Sequence, residues 1–359
     1  MKGRVAVRFS ISLWVMWLHV AGAVEYPAVT PGRPLAFPRD EGAHPDFRTE
    51  WWYATGRLET DHGLPLGFQI TFFRIRPGVD EDNPSRFAAK QMLFAHAAIS
   101  DPRRGVLLRD EKSARAGFGL AEAAQGELNV HIDDWALRKE GDSYVARAHA
   151  KAFSLELALT PTQAPLLHGD RGFSQKAPDP AHASYYYSLP QLRTKGRIVI
   201  DGKAQAVSGV SWLDHEWMTT VMPHQAQGWD WIGLNLDDGG ALVALQMRAT
   251  NGDKLWAFGT RRSAGSSQAE SYAPHEISWT ALRRWVSPRT GVTYPVEWRI
   301  EAGGRTIRLE PLMDDQESDA RGSTGTLYWE GAVRALDERG NQVGGGYLEL
   351  TGYGQKLQF

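Results

Sequence analysis

The chain has 359 residues, and its 40 Lys and Arg nearly balance 42 Asp and Glu, for a formal net charge of −2. No cysteine occurs anywhere, which excludes thiol catalysis, disulfides and cysteine metal sites. No basic run of the kind nucleic-acid binding requires is present, so nucleic acid is set aside as a partner.

At the N-terminus, Lys2, Arg4 and Arg8 precede an apolar stretch from Phe9 to Val20 and the small residues Ala21-Gly22-Ala23. That order is the pattern of a secretory signal peptide, and its apolar part is short for a membrane span. Cleavage near Ala23 is expected, giving a periplasmic or secreted protein. Twelve of the 14 tryptophans lie beyond Ala23, a load that suits packing with large rings or a site for an apolar ligand.

From Glu50 onward the chain reads as β almost throughout. Runs rich in β-branched and aromatic residues occur at 50–59, 66–75, 91–99, 129–137, 144–150, 153–160, 192–200 and 206–212. A second set occupies 229–236, 241–248, 254–260, 276–285, 294–300, 305–312, 326–336 and 343–352. Turn signals such as Asp201-Gly202, Asn251-Gly252-Asp253 and Gly303-Gly304 separate many of them. Such a series predicts an all-β fold of antiparallel barrels or sandwiches with little helix. Segments 83–90 and 112–124 have room for a helical turn or two, and 168–182 reads as a long loop. The expected division is a signal peptide over 1–23, an N-terminal domain over 24–221 and a C-terminal domain over 222–359. Trp52…Gly56 and Trp229…Gly233 are each followed, thirteen residues past the glycine, by a glutamine, Gln69 and Gln246. This matching register suggests an internal duplication of one hairpin.

The stretch Trp212-Leu213-Asp214-His215-Glu216-Trp217 sets three ionisable side chains between two tryptophans at the end of a strand-like run. Charges beside large rings are either fully hydrogen-bonded or held with shifted pKa values. Strand alternation puts Asp214 and Glu216 on one face and Leu213, His215 and Trp217 on the other. Asp214 is the candidate acid, with His215 or His96 to orient it or a water. Structural roles stay open beside these: Glu216 pairing with Arg74 or Arg248, His215 bridging the barrels, Glu50 closing a barrel floor against an arginine. A serine hydrolase is not supported, because Gly209-Val-Ser211-Trp-Leu lacks the second glycine and the helix. No zinc-helix spacing follows His215-Glu216, so no metal is expected, and a composite site from His96, His215 and Glu216 is disfavoured.

Five blocks carry a family resemblance: Phe47-Arg-Thr-Glu50-Trp51-Trp52-Tyr53, Phe94-Ala-His96, Tyr185-Tyr186-Tyr187-Ser188, Gly209-Val-Ser-Trp212-Leu-Asp214-His215-Glu216-Trp217, and Gly228-Trp229-Asp-Trp231. In order and spacing they resemble the carotenoid 1,2-hydratase (hydroxyneurosporene synthase-like) family, whose exported branch is often labelled as secreted hydrolases. The resemblance implies two lipocalin-like barrels and a hydration of a terminal isoprenoid double bond, with an aspartate as proton donor and acceptor and no cofactor. On this basis Trp51, Trp52, Tyr53, Tyr185, Tyr187, Trp212, Trp217, Trp229, Trp231 and Gln246 are expected to line the ligand site. The expected partner is a hydrophobic small molecule, isoprenoid or lipid. The rival expectation is a non-catalytic lipid carrier or accessory protein of a membrane export system.

Overall fold

The computed structural model of the protein describes residues 24–357 apart from 80 and 221, so the expected signal peptide at 1–23 lies outside the described residues. Alternation of apolar and polar side chains makes strands that bury one face. In Phe153–Thr160, Leu155, Leu157 and Leu159 are buried while Glu156 and Ala158 face solvent. All strands pair antiparallel, in one sheet of 13 and one of 10. The first runs from Leu108–Arg115 at one edge, through Thr49–Thr60 and Lys203–Met218 at its centre, to Ala121–Ala123 at the other. The second runs from Ala269–Tyr272, through Ala226–Leu236 and Gln342–Leu350, to Ile277–Val286.

Both sheets obey one rule: the first strand pairs with its successor and with the last strand, while the two edges are consecutive in the chain. This is an up-and-down meander, and its ends curl toward each other in both sheets. The architecture is two lipocalin-like β-barrels. Trp52, Phe68, Phe72, Trp135 and Trp217 fill the first interior, and Ile232, Trp298, Trp329 and Leu348 fill the second. A third core, with Tyr53, Tyr186, Trp212, Trp231, Phe258 and Tyr347, lies where the sheets pack on each other.

That packing explains why Trp212 to Met218 is buried on both faces: one lines the first barrel, the other meets the second sheet. Gly67 lets the two sheets come close, since a Cβ there would lie 2.7 Å from the Ala332 Cβ, and Gly233 leaves room for rings, since a Cβ there would lie 2.5 Å from Trp231 and 3.1 Å from Trp212. A bulge between Leu189 and Leu192 turns Gln191 outward, and its side-chain amide donates to the Leu236 and Gly240 carbonyls of the second sheet.

Three expectations are corrected. Segment 112–124 is not helical: the Leu108–Arg115 and Ala121–Ala123 strands meet around Gly117 and Gly119, whose φ of 119° and 72° turn the chain between them. Segment 168–182 is not a free loop, because Phe173–Gln175 pairs with the Ala183–Ile200 strand. The Trp, Gly and Gln register is not a structural equivalence. Gln69 lies opposite Thr55 but Gln246 opposite Asp230, and Trp52 points into a barrel whereas Trp229 points between the sheets. The repeat is topological, and the match that does recur is an acid before tryptophan. Glu50 ion-pairs with Arg74 of the next strand at 2.8 Å, and Asp230 with Arg248 at 3.0 Å, both carboxylates fully buried.

Candidate functional site

Strand pairing lays side chains in rows on the outer face of the first barrel. One row reads His96, Thr71, Tyr53, Asp214, Ser188, and the next Phe94, Phe73, Trp51, Glu216, Tyr186. Facing them, the second sheet presents Leu245, Trp231, Glu349 and Glu330 in one row, with Met247 and Trp229 beside it. Between the sheets is a cavity of about 270 Å³, mostly apolar in lining, that Asp214, Glu216, Lys176, Glu330, Glu349 and His96 all reach.

Among the described residues Asp214 makes no ion pair, the Lys176 ammonium acting on it only at longer range. Its Oδ1 accepts from Trp212 Nε1 at 2.6 Å and from Ser188 Oγ, and its Oδ2 accepts from Tyr186 Oη at 2.8 Å. Burial pushes the carboxyl up to about 7, against the opposing pull of these three donors. The surroundings accommodate the proton. Tyr186 Oη already receives Trp231 Nε1 at 3.1 Å, and His168 Nε2 lies 2.6 Å from Ser188 Oγ. Burial keeps His168 neutral, so the serine can accept from Asp214 while donating to the imidazole.

The neighbouring acid on the same face is held differently. Glu216 ion-pairs with Lys176 at 2.8 Å and accepts from Ser184 Oγ. The Lys176 ammonium also sits over the Tyr186 and Phe258 rings, at 4.6 and 4.3 Å. Lys176 comes from the short pairing segment after residue 168, so that segment helps close the cavity. Across the cavity, Glu330 and Glu349 stand directly opposite each other on adjacent strands. Burial and the field of nearby acids push Glu349 up to about 7, and burial together with Glu349 pushes Glu330 well above the carboxylate range.

On the other face of the same strand, His215 points into the first barrel. Its Nε2 lies 2.9 Å from Glu50 Oε1, and the ring stacks on Trp52 at 4.8 Å. Glu50 also takes Arg74 Nε at 2.8 Å and His44 Nδ1 at 2.7 Å, and burial notwithstanding, Arg74 and the two histidines hold it well below its usual range. His44, Glu50 and His215 place ligand atoms within 4.8 Å of one another, the spacing of a metal site. Arg74 already supplies the cation for that carboxylate, so the donor set fits a buried ion-pair network better than a metal.

The expected site residues therefore divide. Trp51, Tyr53, His96, Asp214, Trp229 and Trp231 line the cavity, and Trp212 touches Asp214 from the packed core beside it. Trp52, Tyr185, Tyr187, His215 and Trp217 turn into the first barrel, because alternation sends them to the opposite face. Gln246 does not reach the cavity: its amide donates to Asp230 at 2.7 Å at the end of the second barrel. His96 stays far from Asp214 along its row and bonds Tyr328 Oη and Ser323 Oγ at 2.8 and 2.9 Å. The composite of His96, His215 and Glu216 does not assemble, since His215 faces away. Glu216 pairs with lysine rather than with Arg74 or Arg248, and His215 does not bridge the barrels.

Sequence reasoning missed Lys176, Ser188, Glu330 and Glu349. Glu330 carried the available signal, an acid directly after Trp329 inside an apolar strand.

A family profile described as AttH-like matches residues 28–353. The crystal structure of an AttH from Nitrosomonas europaea is 47% identical to this chain, covering 91% of it and 99% of its own length with a TM-score of 0.85. Kievitone hydratase from Nectria haematococca is 14% identical over 93% of this chain and 97% of its own, with a TM-score of 0.67, a likeness of fold. A search of the curated proteins finds no match.

Proposed function

The chain belongs to the AttH-like family, and on that premise we propose that it is an exported, cofactor-independent hydratase. Its substrate would be an apolar alkene, isoprenoid or lipid, held in the cavity between the sheets, with Asp214 as acid and base. One observation carries the reading: a carboxyl raised toward neutrality faces a mostly apolar cavity with only neutral hydrogen-bond partners. The fold is shared with an enzyme that is a hydratase by name. A salt bridge from Asp214 to arginine with no cavity alongside would instead have favoured the lipid-carrier reading.

Hydration of a trisubstituted alkene needs a general acid that still carries its proton near neutral pH, in an apolar pocket that admits a water. Asp214 gives its proton to the less substituted carbon, and the π pair that forms the new C–H bond leaves a tertiary cation. The faces of Trp51, Trp229 and Trp231 stabilise such a cation by about 0.5–2 kcal/mol each. Water adds to the cation and returns a proton to the Asp214 carboxylate, so the acid is regenerated. Trp212, Tyr186 and Ser188 keep the carboxylate from becoming too strong a base between the two steps.

Purified residues 24–359 are incubated in D₂O with a series of isoprenoid alkenes bearing a terminal trisubstituted double bond. A deuterated tertiary alcohol is the expected product, and Asp214→Asn is expected to lower its formation by about 10²–10⁴-fold. Undiminished turnover by the variant would refute the assignment.

A further inference from the structure

One buried nucleophile takes no part in the hydration chemistry. Lys176 is the only buried lysine among the described residues, and it lines the cavity between the sheets. Its Nζ ion-pairs with Glu216 at 2.8 Å and donates to Ser174 Oγ at 3.0 Å. Glu50, Asp230 and Glu317, each wholly out of water, are paired with arginine instead: Arg74, Arg248 and Arg289. Arginine keeps its proton in proteins and suits a permanent buried ion pair, whereas a buried lysine can give its proton up and become an amine nucleophile. Burial pulls the Lys176 ammonium below the usual lysine range, against the opposing pull of Glu216 and Asp214. The exchangeable cation is thus the one that faces the cavity.

We propose that Lys176 is a carbonyl-capture site: its Nζ condenses with an apolar aldehyde or ketone held in the cavity, forming an imine with Glu216 as counter-ion. The Lys176 ammonium first passes a proton to Glu216, 2.8 Å away. The freed lone pair attacks the carbonyl carbon, and the π pair of the C=O bond moves to oxygen. Glu216 protonates that oxygen and takes a proton back from the new N–C centre, which leaves a neutral carbinolamine. Glu216 then gives its proton to the hydroxyl, which departs as water while the nitrogen lone pair closes the C=N bond. The product is a protonated imine beside a Glu216 carboxylate, so the charge pair that existed before the reaction exists after it. The Tyr186 and Phe258 faces that hold the ammonium suit the iminium as well. Apolar contact with Trp229, Trp231, Leu245 and Met247 accounts for the rest of the ligand. The capture uses the cavity proposed above as the ligand site but not its hydration chemistry.

The test is reductive trapping. Purified residues 24–359 are incubated with citral, an apolar isoprenoid aldehyde, and with glyceraldehyde, a polar one, each with sodium cyanoborohydride to reduce any imine to a stable secondary amine. Intact mass and peptide mapping locate the adduct, which adds the mass of the aldehyde less its oxygen. Citral is expected to label Lys176 at least about 10-fold faster than the exposed Lys151, because a desolvated amine in an apolar pocket is the activated one. Glyceraldehyde is expected to label Lys151 in preference to Lys176. An excess of the matching hydrocarbon should protect Lys176 and leave Lys151 reactive. Lys176→Arg keeps the charge opposite Glu216 and is expected to lose the adduct with its melting temperature close to wild type. Glu216→Gln is expected to slow capture by at least about 10-fold, since the proton shuttle is gone. Asp214→Asn should capture citral as wild type does, so lost hydration with capture intact counts against the hydratase reading alone. Hydration with no capture counts against this inference alone. Labelling of exposed lysines with Lys176 untouched, equal labelling of Lys176 by the two aldehydes, or no protection by the hydrocarbon would each overturn it.

Discussion

Asp214 and Glu50 lie on adjacent paired strands of one sheet and on its opposite faces, both out of water, and their carboxyls move in opposite directions. Glu50, on the barrel side, is surrounded by Arg74, His44 and His215, and stays ionised well below its usual range. Asp214, on the cavity side, has Trp212, Tyr186 and Ser188, none of them cationic, and rises to about 7. Burial acts on the two alike; what separates them is whether a cation is bonded to the carboxyl, as Arg74 is to Glu50, whereas Lys176 is bound to Glu216 and not to Asp214. One strand thus carries a structural ion-pair network on one face and a poised acid on the other, simply because consecutive residues alternate.

The comparison breaks most readily at Glu50. Glu50→Gln leaves Arg74 buried without its counter-charge, and thermal or denaturant unfolding is expected to show a loss of about 3–5 kcal/mol. A loss under 1 kcal/mol would mean the network is not what holds that end of the barrel.

The second contrast is one of sign. A carboxyl whose folded pKa is raised adds stability below its unfolded pKa and loses it as pH climbs through the folded value. Glu50, being lowered, does the reverse: its stability is present above the unfolded value and fades as pH falls. Asparagine can replace Asp214 with its amide oxygen toward Trp212 and Ser188 and its NH₂ toward Tyr186. Asp214→Asn is therefore expected to match wild type near pH 4 and to exceed it by roughly 2–4 kcal/mol near pH 8. Chemical denaturation at both pH values checks this, and a variant that is less stable at pH 8 would show that Asp214 works as a structural anion.

Much of this was legible in the chain. The β runs and the turns pointed to antiparallel barrels or sandwiches, the family resemblance narrowed this to two lipocalin-like barrels, and alternation alone separated Asp214 from His215. The choice of barrel interior against inter-sheet face was not legible for the rings. Trp51 and Trp52 differ by one residue and end on opposite faces, one lining the cavity and one in the first core, and which parity faces the second sheet is decided by packing between strands far apart in sequence. Glu349 escaped because it looks ordinary in its own strand and becomes unusual only beside Glu330. The same rule that singled out Glu50 and Asp214, an acid within a tryptophan-bearing apolar strand, also fits Asp230 and Glu330. All four are buried.

The most direct test is titration of Asp214 itself, by carbon-13 NMR of the side-chain carboxyl in aspartate-labelled protein, with the signal assigned from its loss in Asp214→Asn. A midpoint near 7 is the expected result. A midpoint below 5 would mean that Asp214 is ionised at neutral pH and has no proton to give to an alkene.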